Sequence, residues 1–212
     1  MKIDIKGAIV SNDYEAVYDW FGMENTSPRK VNRALEDANG EAVDVLINSG
    51  GGMITAGSEI YTALRNYAGE VNIRIVWAAS AASVIAMSRH SVMEPTAMMM
   101  IHNVSSVAEG DYRDMAHESK VLDTASAAMS VAYQLKTGKS EAEIRKLMDK
   151  ETWFTARQAQ ELGFVDEVAE NGQMAAAYSV PLLPKEVIEK AAAEIAGYKA
   201  ATEKFERLGG AE

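Results

Sequence analysis

Residues 42–68 read AVDVLINSGGGMITAGSEIYTALRNYA, and the fold turns on how this stretch is read. AVDVLIN (42–48) is an apolar run short enough for a buried strand. SGGG (49–52) breaks it. Beyond the break Ile60, Ala63, Leu64 and Tyr67 recur at helical spacing until Gly69. Two more strand candidates follow, VNIRIVW (71–77) and TAMMMIH (96–102), the second introduced by Pro95. Between them AASAASVIAMSRH (78–90) has no Gly or Pro, which favours a helix after a turn. Strand, helix, strand, helix, strand is a βαβ pattern and calls for an α/β fold with a mostly parallel, buried sheet.

Outward from this centre, Lys2–Ala8 alternates like an exposed-edge strand. Ser27-Pro28 reads as an N-cap followed by proline at the first helical position. Residues 113–136 carry a stripe of Met115, Leu122, Ala125, Met129, Ala132 and Leu135, ended by Thr137-Gly138. At 1.5 Å per residue that helix reaches roughly 35 Å, long for a small domain. Ser140 to Glu143 is a capping box, Thr155 caps ARQAQEL, and FVDEVAE (164–170) reads as a closing strand. The expected organisation is a domain over 1–170, a linker over 171–183 and an amphipathic C-terminal helix over 184–212.

Among 212 residues, 48% are hydrophobic and 25% charged, an ordinary balance for a globular chain. No stretch approaches the roughly 20 apolar residues that span a bilayer, and MKIDIKGAIVS lacks the apolar middle of a signal peptide. A cytoplasmic protein with no membrane partner is expected. Cysteine is absent, which removes disulfides, thiol nucleophiles and cysteine-bound zinc. No metal or cofactor is expected. The net charge of −10, from 31 acidic and 21 basic residues, repels phosphate backbones and argues against nucleic acid.

In open α/β sheets function gathers at the carboxyl ends of strands. Three such ends here carry SGGG (49–52), AASAAS (78–83) and His102. Acyl transfer needs that set: a hydroxyl, a histidine to activate it, and backbone N–H donors for the oxyanion from a glycine turn or a helix start. Taken singly, each has a plainer reading. Ser83 could be a small N-cap, His102 a hydrogen-bonded structural residue, and SGGG a turn. Their conjunction favours chemistry.

INSGGGMITAGSEIYTALR (47–65), AASAAS (78–83), MMMIHN (98–103) and ETWFTARQAQELGFVDEV (151–168) together resemble the proteolytic subunit of the Clp serine proteases. The resemblance covers residues 42–168, and the AASAASVIAMS form is similar to the phage and prophage branch associated with capsid maturation. It implies the Clp/crotonase spiral of repeated ββα units, with helix 113–136 as a handle between rings. It implies Ser83 as nucleophile, His102 as general base, and the N–H groups of Gly51 and Val84 as oxyanion hole, while Ser80 keeps a bland role in the turn. The family's aspartate precedes an aromatic-Ser/Thr-Ala motif, here WFTA (153–156), so Glu151 takes its place, with Asp149 as rival.

Three further positions depart from the family. Gly50 stands where a proline precedes the glycines, and Ile85 stands where a glycine follows the nucleophile. Lys2 starts directly in a strand where the family carries a gating segment, which argues against docking to an ATPase. The implied activity is that of a self-compartmentalising endopeptidase, a homo-oligomer of stacked rings acting on unfolded polypeptide or peptide, with an ATPase or a capsid as candidate partner. Two rivals remain: a catalytically silent scaffold or assembly protein of this fold, and a crotonase-type acyl-CoA enzyme. The second lacks a basic patch for the CoA phosphates.

Overall fold

The computed structural model describes residues 1–170. The expected linker and C-terminal helix lie outside the described residues. Strands β1 (Lys2–Ile9), β3 (Val43–Gly52), β4 (Val71–Ala79) and β5 (Ser91–Ile101) lie side by side and parallel. The two-residue β2 (Asn25–Thr26) extends the sheet beyond β1, giving the order β2-β1-β3-β4-β5 for these strands. Each new central strand is added on the same side, so the chain winds as a spiral with helices in its crossovers. These are α1 (Glu15–Trp20) and α2 (Pro28–Ala38) before β3, α3 (Ile54–Asn66) before β4, and α4 (Ala81–Ala86) before β5.

Period-2 burial drives the sheet. Val43, Val45 and Ile47 on β3 and Val71, Ile73 and Ile75 on β4 are buried, and the residues between them face out or lie at intermediate depth. The buried row meets Ile60 and Leu64 of α3 and Val31 and Leu35 of α2 in one core. Ser27 caps α2 by accepting from the Lys30 amide, with Pro28 at the first helical position, as the sequence indicates.

The third main strand starts earlier than its sequence suggests. β5 begins at Ser91, and Pro95 lies inside it, in the gap where the β4 partner register jumps from Met93 to Met98. A proline has no N–H to offer a ladder, and an interruption in pairing is where a strand tolerates one. The free edge of β5 is shared by two short strands. β7 (Glu167–Val168) runs parallel to its first half, and β6 (Thr152–Thr155) runs antiparallel to its second. The closing strand expected over 164–170 is thus only two residues long.

α5 (Tyr112–Thr137) is the long helix, 26 residues, opened by an Asp111 capping box and closed by Gly138 in the left-handed region. α6 (Glu141–Met148) and α7 (Ala156–Glu161) carry the capping boxes read at Ser140 and Thr155. No helix among the described residues is long and apolar enough to cross a membrane.

Candidate active site

The carboxyl ends of β3, β4 and β5 converge. At the end of β3, Gly51 adopts φ +100. A Cβ there would lie 2.7 Å from Ala79 O, 2.7 Å from Ser80 Cβ and 3.0 Å from Ala81 N. The glycine turn therefore presses against the β4–α4 turn, and only glycine permits both the backbone angle and the approach. At the end of β5, His102 Nε2 is hydrogen-bonded to Ser80 Oγ at 2.8 Å.

That bond differs from the pairing expected from the sequence. The expectation pairs His102 with Ser83, but Ser83 is fully buried and its hydroxyl is committed elsewhere. It donates to the Ser80 carbonyl at 2.7 Å and meets the Tyr133 hydroxyl at 2.8 Å. The reason lies in where β4 ends. It runs on to Ala79, two residues past the apolar run, so Ser80 falls on the turn and Ser83 falls within the first turn of α4. A serine so placed bonds back to the carbonyl one turn earlier.

Ser80 also has φ +54 and ψ −126, a conformation that costs a non-glycine residue on the order of 1–3 kcal/mol. A part-buried serine on a strained strand-to-helix turn, bonded to a histidine, is an arrangement that can present a nucleophile.

The expected oxyanion donors are both engaged in this structure. The Val84 N–H is directed at the Ser80 carbonyl at 3.4 Å, inside the helix hydrogen-bond pattern. The Ala81 N–H, by contrast, heads α4, where no carbonyl lies one helical turn behind it. Gly51 is in place, but its N–H donates to Ser49 Oγ at 3.1 Å, while that hydroxyl donates to Gly7 O at 2.6 Å.

Glu151, the expected acid, is not hydrogen-bonded to His102. β5 and β6 pair Met100 with Trp153 and Ile101 with Thr152, so His102 directly follows, and Glu151 directly precedes, the last residues of that pairing. Glu151 is exposed, has φ +47, and accepts only a long 3.4 Å bond from the Trp153 indole. Asp149 accepts from Asn103 Nδ2 at 2.8 Å. Among the described residues, His102 Nδ1 has no hydrogen-bond partner. A cleft of about 590 Å³ is lined by Gly52 and Met53 at the end of β3, by Val104 and Ser105 two and three residues beyond His102, and by Leu122 and Ala125 of α5.

Two site residues escape the sequence reading. Ser80 had a signal: counted from Ser80, the family's glycine position falls on small Ala82 instead of branched Ile85. Tyr133 had none, because on α5 it reads as one more core aromatic. Burial pushes its hydroxyl well above the usual tyrosine range, only partly opposed by its bond with Ser83.

Residues 33–172 match the Clp protease family. The chain is 34% identical over 134 residues to the ATP-dependent Clp protease proteolytic subunit 1 of Streptomyces avermitilis, spanning 61% of this chain and 61% of that protein. It is 31% identical over 132 residues to the proteolytic subunit 2 of Tropheryma whipplei, spanning 60% of this chain and 73% of that one. A solved structure of a ClpP1 point mutant from Listeria monocytogenes superposes with a TM-score of 0.65 at 23% identity, covering 80% of this chain and 91% of its own. That likeness carries the fold, long helix included. The chain belongs to the Clp protease family.

Proposed function

We propose that this chain is a ClpP-like serine endopeptidase whose nucleophile is Ser80. The observation that carries the reading is the 2.8 Å bond between Ser80 Oγ and His102 Nε2 at a strained strand-to-helix turn. His102 takes the Ser80 proton as Oγ attacks the scissile carbonyl carbon, then delivers it to the departing amine. Water repeats the sequence to release the acyl group. The Ala81 N–H receives the oxyanion, joined by Gly51 once the Gly50–Gly51 peptide turns away from Ser49. Glu151, next to the Ile101–Thr152 pair as His102 is, swings onto Nδ1 and stabilises the imidazolium. Peptide backbone adds along the glycine-rich end of β3, and a side chain enters the adjoining cleft.

The exposed apolar residues of α5, Val121, Val131 and Leu135, support assembly into a homo-oligomer. Stacked rings would confine the serines to an inner chamber, in the cytoplasm, and restrict substrates to unfolded polypeptide. The phage-like AASAASVIAMS block makes capsid or scaffold polypeptide the narrower substrate reading, and the ATP dependence in the relatives' names makes an ATPase the alternative feeder.

Fluorophosphonate labelling with fragment-ion mapping tests the site. The label should sit on Ser80, and Ser80→Ala should abolish it together with turnover of a short fluorogenic peptide. A folded, assembled wild type that takes no label would leave the scaffold reading instead, and a label on Ser83 would overturn the assignment.

A further inference from the structure

Resting on Ser80 as nucleophile, we infer that Tyr133 and Ser83 are positioning residues: a buried hydrogen-bond relay from α5 that holds the Ser80 backbone in its reactive conformation.

The direction of the relay follows from counting protons. A serine hydroxyl has one proton to give. Ser83 gives it to the Ser80 carbonyl at 2.7 Å, so in its 2.8 Å contact with Tyr133 it accepts, and the tyrosine is the donor. The chain therefore runs from Tyr133 O–H to Ser83 Oγ–H to Ser80 C=O. Burial keeps the Tyr133 hydroxyl protonated, so the donor persists across the working pH range.

The relay ends where it is needed. The Ser80 carbonyl also receives the Ser83 N–H at 3.0 Å and lies 3.4 Å from the Val84 N–H. A carbonyl anchored by these donors fixes the peptide plane after Ser80. That plane carries the Ala81 N–H, and it sits beside the φ +54 that aims Oγ at His102. Without the hydroxyl bond the turn is free to relax toward a less strained geometry. Nucleophile and oxyanion donor would then move together.

The far end of the relay is equally fixed. The Tyr133 ring is buried, edge-on to Phe164 at 5.9 Å, and Phe164 stacks on Phe154 of β6 at 4.8 Å. A hydroxyl buried in such a core costs free energy unless bonded, so its one partner is a specific choice. The same relay explains why a turn rich in alanine carries a second serine.

Tyr133→Phe, which deletes one oxygen and leaves the ring packing, and Ser83→Ala provide the test, alone and combined. Peptide turnover, the rate of fluorophosphonate labelling at Ser80, thermal midpoint and oligomer mass are read for each. Loss of one neutral bond should lower kcat about tenfold for Tyr133→Phe, with KM within about twofold. The labelling rate should fall by the same factor. Ser83→Ala should cost more, and the double variant no more than Ser83→Ala alone, because both act through one relay. The inference is overturned if both single variants label and turn over at wild-type rates, if their losses multiply in the double variant, or if activity falls only in step with assembly and melting. A wild type that does not label at Ser80 defeats the nucleophile assignment itself, a result distinct from any of these.

Discussion

At the end of β4 the reactive turn is enclosed by core: Ala78, Ala79, Ala81 and Ala82 are buried, and the Ser80 carbonyl is tied to Ser83. His102 follows Ile101, which is itself fully buried. Glu151 stands in an exposed turn, its N–H bonded to Met148 O at 3.0 Å but its carboxylate, among the described residues, held only by a long bond to Trp153. Serine and histidine therefore meet because the sheet leaves them no alternative. The carboxylate is governed by side-chain rotamers at the surface, which differ by little free energy. In the proposed triad, packing within a single chain preorganises serine and histidine, and a side-chain movement would complete the acid.

The largest effect should come from breaking the enclosed half. Ser80→Ala should lower turnover about 10⁴-fold or more, as loss of a nucleophile does in other serine enzymes. Ser80→Gly should be equally inactive, yet more stable than Ser80→Ala by about 1 kcal/mol in urea unfolding, because glycine adopts φ +54 without strain. Equal stability of the two variants would mean that the turn stores no strain. Next comes Gly51→Ala. Its methyl meets the Ala79 carbonyl and Ser80 Cβ, so kcat should drop about 100-fold and stability by about 1–3 kcal/mol. A stable, fully active Gly51→Ala variant would remove this turn from the site.

The exposed half is sharpened by comparing two carboxylates. Glu151→Gln should reduce kcat roughly 10- to 100-fold with little change in KM, since an amide cannot stabilise the imidazolium. Asp149→Asn should cost less than about threefold, because Asn103 already occupies that carboxylate. The reverse ranking in steady-state kinetics would make Asp149 the acid and assign Glu151 to the surface.

The same contrast sets what the sequence can reveal. Strands β3 and β4, helices α3 and α5 and the caps at Ser27, Ser140 and Thr155 are legible because each rests on local periodicity or capping chemistry. The three strand ends that meet at the site are legible for the same reason. The choice between Ser80 and Ser83 is not legible from periodicity, because it depends on whether β4 stops at Trp77 or Ala79 and alanines fit a strand end as well as a helix start; small Ala82 two residues after Ser80 is its one sequence signal. β6 was equally hidden: TWFT is too short to show a period, and it becomes a strand only because β5 offers an edge. Tyr133 is set by a contact spanning fifty residues, which no local pattern encodes.

The smallest effect lies at the opposite end of β5, where the site plays no part. Asp166 accepts from the Ser91 amide at 2.7 Å and pairs with Lys136, which also donates to Arg89 O at 2.9 Å, so the last turn of α5 is pinned to the start of β5. Burial draws the Asp166 carboxyl upward, but Lys136, the Ser91 amide and the nearby His90 outweigh it and hold it below the usual carboxylate range. A carboxylate with a depressed folded value stabilises the native state above its unfolded value, near pH 4, and loses that contribution as pH falls through the folded one. Asp166→Asn should therefore cost about 1 kcal/mol at pH 7, a modest figure because the pair is partly screened by solvent. Urea unfolding should show the gap between wild type and variant closing below about pH 4, while peptide turnover at neutral pH stays unchanged. A gap that persists undiminished in acid would mean that Asp166 acts through shape and hydrogen bonding, with its charge contributing nothing.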